Sequence, residues 1–127
     1  MINAEELSKI CRDSVKFTDV SAGVVKIDTP FLDSFNDEMT IYAVDDPHTS
    51  SIVLTDDGWT MDNLESRGFY LSASDKKQLE KYGVVDNDGS LQIVTTLDEF
   101  TVAECRLLQV MLAVDNMPHQ MGQFRPI

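Results

Sequence analysis

Between Lys26 and Arg67 the 127-residue chain has no lysine and no arginine. Phosphate is held mostly by those two side chains, so the expectation is that this stretch does not bind nucleic acid directly. No run of about 18 apolar residues is present, which excludes a membrane-spanning helix. The opening "MINAEELSKI" is acidic and lacks an apolar core, so it does not read as a secretory signal. There are two cysteines, Cys11 and Cys105, expected as reduced thiols packed like small hydrophobes. With only His48 and His119 beside them, a zinc site lacks ligands. None of the six glycines forms a phosphate-binding GxGxxG or GxxxxGK[ST] loop. His48, after Pro47 in a turn, and His119, near the C-terminus, lack nucleophile-and-base spacing and are expected to face solvent.

What is present is a globular pattern, with 43% hydrophobic residues and enough chain for one domain. The expectation is a single α+β domain over 1–117 and an irregular tail over 118–127. Residues 3–16 read as a helix capped by Asn3, with Leu7, Ile10, Cys11 and Val15 on one face. "GVVKIDT" (23–29) reads as a strand, with Pro30 stopping its pairing or marking a sheet edge. Residues 31–37 connect it to "EMTIYAV" (38–44), whose Met39, Ile41 and Ala43 share one face. "DDPHTS" (45–50) is a turn, and "SIVLT" (51–55) a third strand of an antiparallel meander. A short helix follows, capped by Thr60 and stopped by Gly68; a second is capped by Ser74 and stopped by Gly83. "GVVDNDGSLQIV" reads as a hairpin around "DNDG". A long helix over 97–117 starts at a Thr96/Glu99 capping box and ends before Pro118. Its apolar stripe is Phe100, Ala103, Leu107, Val110, Met111, Val114 and Met117. Helices are expected to cover one sheet face.

The chemistry lies in the acids. The net charge is −12, and Asp28, Asp33, Asp37, Glu38, Asp45, Asp46, Asp56, Asp57, Asp62 and Glu65 all fall in the base-free stretch. Turn chemistry accounts for Asp45-Asp46-Pro47 and Asp56-Asp57-Gly58, but not for the missing bases. Two exposed carboxylates about 6 Å apart repel by roughly 0.7 kcal/mol in water. Surfaces usually relieve that with interleaved Lys and Arg, so an uncompensated patch points to a basic partner. Carboxylates at alternate strand positions, about 6.6–6.8 Å apart, match the spacing of phosphates along a nucleic-acid strand. Trp59, the only tryptophan, fits either core packing or an interface anchor beside the acids.

Two stretches, "TPFLDSFNDEMTIY" (29–42) and "LTDDGWTMDNLESRG" (54–68), with the later "LLQVMLAVDNM" (107–117), resemble the bacterial and phage domain of unknown function 1828. The resemblance covers nearly the whole chain. It implies a setting in bacteria, phages or mobile elements, hence phage–host conflict and the cytoplasm of a bacterial host. It supplies no catalytic residue.

A metal-dependent nuclease or hydrolase would need Asp37, Asp46, Asp56 and Asp57 to converge on a cation. The acid-x-Lys strand of PD-(D/E)xK nucleases is missing. "DNDGSL" (86–91) fails as an EF-hand, with Val84 and Thr95 where the end ligands belong. The expectation is therefore a non-enzymatic binding protein with no catalytic residue, no metal and no cofactor. It would inhibit a host nucleic-acid enzyme, such as a restriction or CRISPR nuclease, by occupying its basic surface. The partner-facing residues are expected to be Asp33, Asp37, Glu38, Asp45, Asp46, Asp56, Asp57, Trp59 and Asp62. The alternatives are an antitoxin-like or regulatory partner of a basic bacterial protein, and the metal-dependent hydrolase. The sequence implies no direct nucleic-acid or membrane contact and does not set the oligomeric state.

Overall fold

The computed structural model describes residues 1–120, with side-chain placement for 1–9 and 14–118. The chain runs α1 (Ala4–Asp13), β1 (Lys16–Ser21), β2 (Val24–Leu32), β3 (Glu38–Asp46), β4 (Ser51–Thr55), α2 (Trp59–Ser66) and α3 (Ala73–Leu79). A 3₁₀ turn at Glu80–Tyr82 leads to β5 (Val85–Asn87), β6 (Ser90–Thr95), α4 (Phe100–Asp115) and α5 (Met117–Gln120). This is the expected α+β fold. The strands form one antiparallel sheet in the order β1-β2-β3-β4-β6-β5.

The two-residue period of the strands sets the layers. The row Val25, Ala43, Leu54 and Ile93 crosses the sheet from β2 to β6. With Ile27, Met39 and Ile41 it packs on the buried stripe of α4: Ala103, Leu107, Leu108, Val110, Met111 and Val114. Met61 and Leu64 of α2 close the same layer. On the opposite sheet face the strand side chains are half-buried or exposed. Across it run Thr18, Lys26, Tyr42, Thr55, Gln92 and Val85 in one row, and Val24, Val44, Val53 and Val94 in the next.

Several boundaries differ from the sequence reading. The strand β1 was not expected. "KFTDVS" is exposed throughout, so as an edge strand it shows no burial alternation. β2 runs on through Pro30, which costs no ladder bond because β1 pairs only as far as Lys16↔Asp28. α3 is capped by Ser72 in a capping box with Asp75, not by Ser74. α4 begins at Phe100, after Glu99, which makes no side-chain cap; Glu99 bonds through its backbone, its N–H donating to Thr96 O (3.2 Å) and its carbonyl accepting from Ala103 N–H (3.0 Å). α4 ends at Asp115, and Pro118 falls inside α5 rather than in an irregular tail. Residues 121–127 of that tail lie outside the described residues, as do the side chains of Ile10, Cys11 and His119. Cys105 is exposed and is not a core thiol. The Asn3 cap is present, with Glu6 N–H donating to Asn3 Oδ1 at 2.9 Å. Among the described residues no helix is long and apolar enough to cross a membrane.

Candidate functional site

Two chain reversals meet at one end of the sheet: the 33–37 connection before β3 and the 55–58 turn after β4. Asp56 builds the second. Its Oδ1 accepts from Gly58 N–H (3.0 Å) and Leu91 N–H (2.9 Å), and its Oδ2 from Thr60 N–H (3.0 Å). One carboxylate thus caps α2 and ties the turn to β6. Asp56, not Thr60, is the side chain that caps this helix. Asp57 and Gly58 then take left-handed backbone, φ 56° and 84°. Glycine adopts that geometry without strain and aspartate tolerates it. The chain turns sharply enough to start α2 at Trp59.

Asp33 builds the first reversal in the same manner. Its Oδ1 accepts from Phe35 N–H (2.8 Å) and Asp37 N–H (3.0 Å), while Oδ2 accepts from Trp59 Nε1–H (3.1 Å). That last bond joins the two turns. Behind it, Asp115 Oδ1 accepts from Ser34 Oγ–H (3.0 Å), Arg67 Nη2–H (3.2 Å) and Asn63 Nδ2–H (3.5 Å). Arg67 also donates to Asp115 O at 3.0 Å. Asp33, Asp56 and Asp115 are 5%, 1% and 3% exposed. They form a polar joint inside the molecule. Buried carboxylates persist only where bonds of this kind replace water.

Above the joint lies a groove of about 300 Å³. It is lined by Glu38, Thr40 and Tyr42 of β3, Lys26 of β2, Asp57 of the turn, and Trp59 and Asp62 of α2, with Asp56 also contributing. Glu38, Asp57 and Asp62 are exposed, and Trp59 is 45% exposed. Lys26 is drawn to one side, its Nζ 3.8 Å from Asp28 Oδ1.

The nine acids and aromatics expected to face a partner therefore separate. Glu38, Asp57, Trp59 and Asp62 come together in the groove. Asp37 is exposed on the adjoining turn but does not line it. Asp33 and Asp56 are buried, so neither offers a carboxylate on the surface as the sequence reading had it. Asp45 and Asp46 sit at the other end of β3, about 26 Å of strand from Glu38. There Asp46 Oδ1 accepts from His48 N–H (3.0 Å). On the open face of β3 the positions between Glu38 and Asp46 are Thr40, Tyr42 and Val44, so no ladder of alternate carboxylates exists on that strand. Asp37, Asp46, Asp56 and Asp57 do not converge. Among the described residues no three of His, Cys, Asp or Glu are placed to hold one metal ion.

Sequence reasoning missed Tyr42 and Lys26 as neighbours of the acids. The signal was the register Lys26↔Tyr42↔Thr55, which follows once the meander is paired. It also missed the Arg67–Asp115 pair, for which the sequence separation gives no cue.

The profile of the domain of unknown function DUF1828 matches residues 29–114. The chain belongs to this family. No curated protein and no solved structure matches it. The DUF1828 segment contains the last four residues of β2, all of β3 to β6 and nearly all of α4, including both turns, Asp33 and Asp56 of the polar joint and every residue of the groove except Lys26; Asp115 lies one position beyond it. α1 and β1 lie before it, so the match is narrower than the near-complete coverage expected.

Proposed function

We propose that this DUF1828 protein is a non-enzymatic acidic binding module of bacteria, phages or mobile elements. It docks on the basic surface of a host nucleic-acid enzyme, such as a restriction or CRISPR nuclease, and blocks it. The observation that carries the reading is the convergence of Glu38, Asp57 and Asp62 from three separate elements on one groove beside a half-exposed tryptophan. Charge complementarity of this kind speeds encounter and selects basic partners. An aromatic anchor beside it supplies contact energy. The blocking mode is capture of basic side chains at a localised groove, not display of a phosphate-like row, since β3 carries no such row.

The test is phage plating on bacteria that express the protein, one strain proficient in restriction and one carrying a targeting CRISPR system. Expression should raise plating efficiency at least tenfold in one of the two. The Glu38→Gln/Asp57→Asn/Asp62→Asn variant should lose most of that gain. Unchanged plating in both strains would overturn the reading.

A further inference from the structure

We infer that the groove is a receptor for one arginine side chain of the protein partner. This rests on the docking reading above and adds the chemistry of the residue that docks.

The size, about 300 Å³, sits at the small end of ligand pockets and suits a single long side chain. The acids approach from the start of β3, the 55–58 turn and the first turn of α2, and the carboxylates are too dispersed to share one metal ion. A guanidinium presents five donors in a flat fork and can meet several carboxylates at once, whereas an ammonium is a compact point charge. Tyr42 and Trp59 add aromatic surface, on which guanidinium stacks.

The indole is held before any partner arrives. Trp59 Nε1 is fixed by Asp33, and Asp33 by the backbone of Phe35 and Asp37. A surface tryptophan anchored in this way loses little freedom on binding. Around the same turn Phe31, Leu32 and Phe35 are 44%, 52% and 52% exposed. Exposed apolar side chains on and before the turn whose Asp33 holds Trp59 fit a protein partner, which supplies its own apolar contacts around the arginine, and do not fit a free small cation. Lys26 is the one base lining the groove. Its ammonium opposes an incoming guanidinium, so the groove is tuned down and Lys26→Met should tighten binding.

Trp59 is the only tryptophan, so its fluorescence and its indole N–H resonance report on the groove alone. The experiment titrates the full-length protein with N-acetyl-arginine amide and, separately, with N-acetyl-lysine amide at constant ionic strength. The arginine probe should shift the Trp59 signals saturably, with a Kd of about 1–10 mM. The lysine probe should bind at least threefold more weakly. Asp57→Asn/Asp62→Asn, which alters only exposed carboxylates, should weaken the arginine response at least fivefold, and Lys26→Met should strengthen it. No saturable shift up to about 50 mM, or equal responses to the two probes, would overturn the inference. A saturable arginine response with unchanged phage plating keeps the receptor and removes the nuclease-blocking role. Raised plating with an unmoved Trp59 signal does the reverse.

Discussion

Asp56 and Asp57 are adjacent in sequence, yet one belongs to the buried joint and the other to the open groove. The joint holds Asp33, Asp56 and Asp115, each bonded to several donors. The groove holds Glu38, Asp57 and Asp62, each exposed and placed beside another acid. The same chemical group therefore does two opposite things. Inside, the carboxylate binds turns and helices together, and removing it leaves donors without partners. Outside, three carboxylates share the groove with the single base Lys26, and the remaining repulsion is relieved by a basic partner. Net charge alone cannot separate these roles; hydrogen-bond partners can.

The comparison breaks first at Asp115. Asp115→Ala removes the acceptor for Ser34, Asn63 and Arg67 and leaves a guanidinium only 18% exposed without its carboxylate. A loss of about 4 kcal/mol in urea unfolding is expected. Asp56→Ala should cost about 3 kcal/mol, because three backbone N–H groups lose one acceptor. Trp59→Phe keeps a ring but deletes the bond to Asp33, at a cost of about 1 kcal/mol. It should also raise hydrogen exchange in the 33–37 turn, the direct sign that the two turns have uncoupled.

Glu104 on α4 sharpens the contrast from a third side. Burial pushes its carboxyl pKa up from the ordinary value. An acid with a raised folded-state pKa binds protons more tightly when folded. It therefore costs stability above that pKa and stops doing so below the ordinary carboxylate range. Glu104→Gln should be more stable than the parent at neutral pH, and the gain should vanish as the solution is acidified. A gain that instead grew on acidification would contradict the sign.

The sheet was legible because alternation is a strong signal: of Met39, Ile41 and Ala43, expected on one face, the first two are at most 2% exposed and Ala43 is half-buried against the core. The α4 stripe was legible for the same reason at helical spacing. Capping was less so. "TDDGWT" offers several oxygens, and only the fold shows that Asp56 reaches the Thr60 N–H. The location of the groove was half visible, since Glu38, Asp57, Trp59 and Asp62 were all among the residues expected to face a partner, while the Asp33–Trp59 bond that joins the two turns was not expected. What could not be read was which acids turn inward. Asp33 and Asp56 are buried because the turns they close need acceptors at those points, and no composition count reports that.

The most direct test is the sign of the stability change on neutralising each set at low ionic strength. Urea unfolding should show Glu38→Gln/Asp57→Asn/Asp62→Asn more stable than the parent by about 0.5 kcal/mol, as relief of mutual repulsion requires. Asp56→Asn, one position from Asp57, should be less stable by about 2 kcal/mol. A groove variant destabilised as much as Asp56→Asn would mean that the outer acids also hold the fold together, and the division between joint and groove would be wrong.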